Sequence, residues 1–280
     1  MLPLDPRLPV AARDRLIGAL RPHQLITTDD RVDLDDGIDT DPDDALVMAT
    51  SGTTGEPKGV VLTHEAIRAS AEATSAALDV DLDRDRWLAC LPLSHIGGLS
   101  VVTRALHTGV DLEIHDGFDA AAVAEAGRRG ASLVSLVPAV LDRLDVGTFR
   151  TVLLGGSAIP ADRPPNCVAT YGMTETGSGV VYDGQPLDGV DLRIVDGEIQ
   201  VRGPMLLRAY RDGSNPVDDD GWLATGDAGA LSDRGELSVW GRTGDLIISG
   251  GENVWPVAVE RVLDSHPLVA EVMIVGRPHA

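Results

Sequence analysis

Cysteine is nearly absent: Cys90 and Cys167 are the two in the chain, far apart and without CxxC spacing, which excludes a disulfide framework and gives no zinc pattern. Positive charge is scarce as well. With 23 basic residues against 44 acidic ones and a formal charge of −21, the chain would repel a phosphate backbone, so nucleic acid is excluded as a partner. No run approaches the ~20 apolar residues a spanning helix needs, and the first residues show no basic segment leading into an apolar one. These shortages together point to a cytoplasmic protein with no membrane span.

Lysine is scarcer still. Of the 23 basic residues all but Lys58 are arginine. Wherever a generic cation suffices this sequence uses Arg, so Lys58 marks a place where a compact, rotatable ammonium does what a planar guanidinium does less well.

What is present is enough apolar material, 43% of 280 residues, for one large domain and part of another. Residues 10–20 read as a helix. An acidic stretch rich in Asp follows and reads as a solvated connector, so 1–44 forms an N-terminal helix and linker. From Ala45 short apolar runs alternate with helical segments: strands at 45–49, 60–63, 87–92, 111–115, 132–137 and 151–155, helices at 64–78, 98–107, 120–129 and 139–144. That alternation predicts an α/β fold with layered, largely parallel sheets. From Val190 the texture changes to short alternating segments with Gly-rich turns, as expected of a small antiparallel β subdomain over 190–242. A strand at 246–249, a helix at 256–265 and a strand at 269–275 read as the start of a small α+β C-terminal domain, 243–280.

The segment around Lys58 carries the first chemistry. Thr50, Ser51, Thr53 and Thr54 offer hydroxyls, Gly52, Gly55 and Gly59 permit close backbone approach, and Lys58 adds charge, a combination suited to a polyphosphate. It departs from the common P-loop, because Gly59 rather than Ser or Thr follows Lys58. The alternative is a Gly/Thr-rich surface turn.

That loop resembles the signature of the acyl-adenylate-forming (AMP-binding) superfamily, and later segments agree in order: Tyr171-Gly-Met-Thr-Glu-Thr176, Thr225-Gly-Asp227, Gly241-Arg242, and Ser249-Gly-Gly-Glu-Asn253. The resemblance implies an adenylation domain over 45–242, with Thr50 to Gly55, Lys58, Gly156, Ser157, Tyr171, Gly172, Thr174, Asp227 and Arg242 around ATP. Thr174 suits an α-phosphate, Glu175 is a hard carboxylate for Mg²⁺, and Asp227 suits ribose hydroxyls; a turn-forming Asp is the alternative at 227. Arg242 stands before the hinge, whose pivot near Gly244 is open. Lys58, Thr174, Glu175 and His95 are the expected catalytic set. His95, in Leu91-Pro-Leu-Ser-His-Ile-Gly-Gly98, matches the family's acyl-site histidine.

Within the family the sequence is most similar to short o-succinylbenzoate:CoA ligases of menaquinone biosynthesis. Arg104 then falls where a guanidinium can pair with the substrate's second carboxylate, the alternative being a solvated helix arginine. Ser135, Ser157 and Gly172 complete the acyl candidates. The implied partners are a small carboxylic acid, ATP with Mg²⁺, and coenzyme A as co-substrate; a homodimer is left open. Relatives carry a near-terminal Lys that reaches the α-phosphate, and this chain ends before any such segment. The expectation is a truncated chain that binds nucleotide better than it turns over. A fatty or aromatic acyl-CoA ligase and a non-catalytic nucleotide-binding module stand as the alternatives.

Overall fold

The computed structural model describes residues 1–51, 57–160, 162–264, 266, 268–269 and 271–277. Helix α1 (Val10–Leu20) leads into a small hairpin, β1 (Gln24–Ile26) and β2 (Arg31–Asp33). The acidic stretch is therefore part-structured where a bare connector was expected: Thr27 accepts from the Asp29 and Asp30 amides and closes the turn. Next come β3 (Asp44–Ser51), β4 (Pro57–Thr63), α2 (His64–Ala77), β5 (Arg86–Ala89), α3 (Ile96–Thr108), β6 (Asp111–Ile114), α4 (Ala120–Arg128), β7 (Leu133–Leu136), β8 (Thr151–Leu154), β9 (Cys167–Met173), β10 (Ser178–Tyr182) and β11 (Gln185–Pro186).

The main sheet has the order β11-β10-β9-β8-β7-β5-β6. Its pairings from β6 to β9 are parallel, and β10 and β11 close one side antiparallel. All four residues of β7 and of β8 are buried, as strands covered on both faces must be. Leu88, Val123, Val134, Val152 and Leu154 fill one side of the sheet, and Trp87, Val101, Leu133 and Val180 the other. Helix α2 begins at Thr63, whose hydroxyl accepts from the Ala66 amide at 3.1 Å, and α4 is capped the same way by Asp119.

The second half adds β12 (Asp191–Val195), β13 (Glu198–Arg202), β14 (Ala209–Tyr210), β15 (Leu223–Leu231), β16 (Leu237–Arg242), β17 (Ile247–Ser249), β18 (Glu252–Val254) and α5 (Pro256–Asp264). A four-stranded antiparallel sheet runs β12-β13-β15-β16, while β14 returns to pair with β4 in the three-stranded sheet β14-β4-β3. The layered α/β architecture with a small antiparallel sheet is thus as expected.

Two local expectations fail. Pro138–Arg143 forms a six-residue 3-10 helix rather than an α-helix, and the described residues of 269–275 form no strand, because no neighbouring strand pairs with them. The Ile274 amide is used instead by Glu260 Oε1, at 2.7 Å. Among the described residues no helix is long and apolar enough to cross a membrane.

Candidate active site

A cavity of about 390 Å³ opens beside the C-terminal ends of β7 and β8, walled by the start of α3 and by residues of β9 and β10. The chain enters α3 through a tight turn. A Cβ on Gly98 would collide with the Leu91 and Pro92 carbonyl oxygens, so that turn requires glycine. His95 is the N-cap residue but its side chain makes no capping hydrogen bond, and the exposed imidazole is left at the cavity wall. Ser135, on β7, is buried and lines the cavity, as do Gly156, Gly172 and Thr174.

Arg104 dominates the electrostatics of this cavity. The residue is 3% exposed, and its Nε and Nη1 are buried without a hydrogen-bond partner among the described residues. The ring of Trp87, 5.5 Å from the guanidinium carbon, is its cation–π neighbour. Burial pushes its pKa below the ordinary guanidinium value, with the Tyr182 phenol acting weakly the other way. A guanidinium nonetheless keeps its proton in proteins, so a positive charge faces the cavity with unused donors. Ser100 lies four residues earlier on the same helix, with its Oγ buried and equally without a partner. The Tyr182 hydroxyl is taken by Thr74 at 3.1 Å and does not serve Arg104.

A second cleft of about 600 Å³ shares Gly156, Thr170 and Gly172 with the first and is walled further by Ser157, Tyr171, Asp227, Trp240 and Arg242. Here the polar groups satisfy one another. Tyr171 donates to Asp227 Oδ2 at 2.9 Å, and Arg242 Nε lies 3.2 Å from Asp227 Oδ1. Arg242 also donates to the Thr225 carbonyl at 3.0 Å, and the Thr225 hydroxyl accepts from the Asp227 amide. Burial raises the Asp227 pKa, although Arg242 and the Tyr171 hydrogen bond both act to lower it. Burial, and next the neighbouring Asp227 charge, holds the Tyr171 phenol well above its ordinary value, so it stays a donor. Asp227 sits within β15, paired with Arg242 of β16, and not in a turn.

Between β3 and β4, Thr50 is paired with Lys58, and its hydroxyl donates to the Lys58 carbonyl at 3.5 Å. The Lys58 ammonium lies 4.8 Å from the centroid of the Tyr210 ring, and the Tyr210 hydroxyl donates to Glu175 Oε1 at 3.0 Å. Glu175 is the middle residue of a 3-10 turn over Thr174–Thr176, and its carbonyl accepts from the Leu207 amide. Among the described residues no other side chain hydrogen-bonds its carboxylate, and no cluster of three or more His, Cys, Asp or Glu could hold a metal. That donor set fits Mg²⁺, which takes one or two carboxylates alongside phosphates and water.

The expected residues therefore fall into three adjoining groups: His95, Arg104, Ser135, Gly156, Gly172 and Thr174 at the cavity, Ser157, Tyr171, Asp227 and Arg242 at the cleft, and Lys58 with Glu175 bridged by Tyr210. Ser157 was expected at both nucleotide and acid; it lines the cleft and not the cavity, because the chain turns away after Gly156, where φ is +83°. Gly52, Thr53, Thr54 and Gly55 lie outside the described residues, as does the Ser51 side chain. Ser100 and Tyr210 were missed. The four-residue spacing from Ser100 to Arg104 is a signal that was there to be used, whereas Tyr210 comes to Glu175 through the pairing of β14 with β4 and leaves no local mark.

Residues 7–211 match the family model described as AMP-binding enzyme. The chain is 39% identical over 271 residues to a 2-succinylbenzoate–CoA ligase of Bacillus anthracis (strain A0248), covering 82% of this chain and 56% of the relative. It is equally 39% identical over 272 residues to that of Bacillus cytotoxicus, with the same coverage. The chain thus spans little more than half the length of the curated relatives it matches. Among solved structures, o-succinylbenzoate CoA synthetase (MenE) from Bacillus subtilis in complex with the acyl-adenylate intermediate OSB-AMP superposes with a TM-score of 0.77 at 34% identity, over 84% of this chain and 56% of that one. The same enzyme in complex with ATP and magnesium ion gives 0.77 at 34%, over 89% and 61%. Wild-type E. coli MenE with a bound m phenylether-linked analogue of OSB-AMS gives 0.77 at 31%, over 98% and 68%.

Proposed function

Because the chain belongs to the AMP-binding enzyme family, we propose that it supplies the nucleotide and acyl sites of an ATP-dependent acid:CoA ligase whose acid is o-succinylbenzoate. The observation that carries the choice of acid is Arg104. A buried cation without a partner is costly to keep, and a neutral acyl chain would leave it so; a substrate bearing a second carboxylate removes the cost by accepting from Nε and Nη1. The accompanying division is an N-terminal helix and linker (1–44), an adenylation domain (45–242, with a β subdomain at 190–242) and the start of a C-terminal domain (243–280).

In this reading the acid lies in the cavity with its distal carboxylate on Arg104 and its reacting carboxylate toward Thr174 and the cleft. The adenosine occupies the cleft, where Asp227, held by Tyr171 and Arg242, accepts from ribose hydroxyls. ATP would meet the reacting carboxylate at the α-phosphorus to give acyl-AMP and pyrophosphate, and the coenzyme A thiol would then displace AMP. No protein nucleophile is needed: Lys58 and Thr174 hold phosphate oxygens, and fixing both reactants in one place does much of the work. Magnesium, when bound at Glu175, would supply charge neutralisation on the phosphates.

Calorimetric titration with ATP·Mg²⁺ and with a non-hydrolysable o-succinylbenzoyl-AMP mimic tests this. The unaltered chain should bind both. Arg104→Ala should weaken the mimic by about 30-fold or more and leave ATP nearly unchanged, whereas Lys58→Ala should weaken chiefly ATP. Binding of ATP without the mimic would remove the acid from this reading, and binding of neither would remove the nucleotide site.

A further inference from the structure

Lys58 and Glu175 are opposite charges placed to act on one phosphate–metal unit, and left alone they would seek each other. A direct ion pair would consume both, since each would have to be stripped from its partner before engaging a ligand. Tyr210 stands between them. Its ring takes the ammonium at 4.8 Å and its hydroxyl takes one carboxylate oxygen at 3.0 Å, and no Lys58–Glu175 ion pair forms among the described residues.

The placement is built into the fold. β14 is two residues long and exists by pairing with β4, Tyr210 opposite Val60 and Ala209 opposite Val61. Lys58 lies two residues before Val60 on the same β4, and Glu175 is tied to the same segment by the Leu207 amide. Three further backbone bonds pin it: Arg208 N to the Val61 carbonyl at 2.9 Å, Arg211 N to the Gly59 carbonyl at 2.7 Å, and Tyr210 N to the Ser214 carbonyl at 2.8 Å. The Tyr210 backbone is therefore held against both the strand that carries Lys58 and the turn that carries Glu175.

We propose that Tyr210 is a positioning residue that keeps the phosphate-binding ammonium of Lys58 and the metal-binding carboxylate of Glu175 apart. It orients the carboxylate by occupying one oxygen and leaving the other for the cation. The inference rests on the nucleotide reading above.

The two contacts are separable by substitution. Tyr210→Phe keeps the ring under Lys58 and removes the hydrogen bond to Glu175; Tyr210→Leu removes both. Binding of ATP is measured by calorimetry in EDTA and across a Mg²⁺ titration, with thermal unfolding followed in parallel. Tyr210→Phe should raise the Mg²⁺ concentration at half-saturation about tenfold, the size expected for losing a hydrogen bond to a charged group, and leave metal-free ATP binding unchanged. That shift should disappear in a Glu175→Gln background. Tyr210→Leu should also weaken metal-free ATP binding, because Lys58 can then pair with Glu175, and Glu175→Gln should restore it. A Tyr210→Phe chain whose Mg²⁺ requirement moves less than about twofold, or moves equally with Gln at 175, overturns the proposal while the nucleotide reading stands. If the unaltered chain binds no ATP at all, both fall together.

Discussion

The cavity and the cleft share a wall but treat their charges in opposite ways. In the cleft, Tyr171, Asp227, Arg242 and Thr225 hydrogen-bond among themselves, so the site is held in shape before anything enters. In the cavity, Arg104 and Ser100 present buried donors that no group among the described residues uses. A self-satisfied network costs little to keep and must give up contacts to a ligand. An unsatisfied one destabilises the free chain and returns that cost on binding. The first arrangement suits a ligand that supplies many contacts of its own; the second suits discrimination, since a ligand lacking the matching anion gains nothing from entering.

The largest expected effect breaks this contrast from the cavity side. Arg104→Met replaces a buried cation, whose Nε and Nη1 have no hydrogen-bond partner among the described residues, with an apolar chain of similar length beside Trp87. Thermal and denaturant unfolding should show it more stable than the unaltered chain by about 1–4 kcal/mol, while the o-succinylbenzoyl-AMP mimic binds about 100-fold more weakly or worse. A substitution that stabilises the fold and removes the ligand is the mark of a charge kept for function. If Arg104→Met destabilises, Arg104 is structural and the contrast fails.

A smaller effect of opposite sign belongs to the cleft. Tyr171→Phe removes a donor to a buried carboxylate, so the chain should lose about 1–2 kcal/mol of stability in denaturant unfolding. The cavity should not notice, and Arg104→Met and Tyr171→Phe should add within about 0.5 kcal/mol if the two networks are independent.

Why the two sites differ in how readily the sequence shows them follows from the same geometry. The parallel strands and their helices were legible because burial on both faces leaves largely apolar runs such as 132–137 and 151–155. Arg104 stood out only by its place nine residues after His95 on the same helix, with a solvated arginine as the open alternative; burial to 3% exposure removes that alternative. The cleft was harder. Thr225-Gly-Asp227 carries a glycine with φ +74° and invites a turn, yet it lies inside the nine-residue β15, whose pairing with β13 is irregular at that point. Gly226 takes a conformation few other residues tolerate, and a β-bulge absorbs it. Tyr210 was harder again, since its position depends on Val60, 150 residues earlier, and on a strand too short to show periodicity. The acidic stretch misled for a different reason: its charge masked the alternation in Arg31-Val-Asp33.

The smallest expected effect is a pH dependence confined to the cleft. Burial raises the Asp227 pKa more than Arg242 and Tyr171 lower it, so the folded chain holds this proton to a higher pH than the unfolded chain does. As pH rises from the ordinary carboxylate range through the raised value, the unfolded state releases its proton first, and folding stability falls; above the raised value the cost is constant. Asp227→Asn has no such proton. The stability difference between the unaltered chain and Asp227→Asn, followed by thermal unfolding across that window, should therefore decline with rising pH and then level. Nucleotide affinity should move the other way, strengthening over the same window as the charged acceptor forms. A stability difference that instead rises with pH would mean that Arg242 and Tyr171 outweigh burial, making the cleft carboxylate an asset to the free chain.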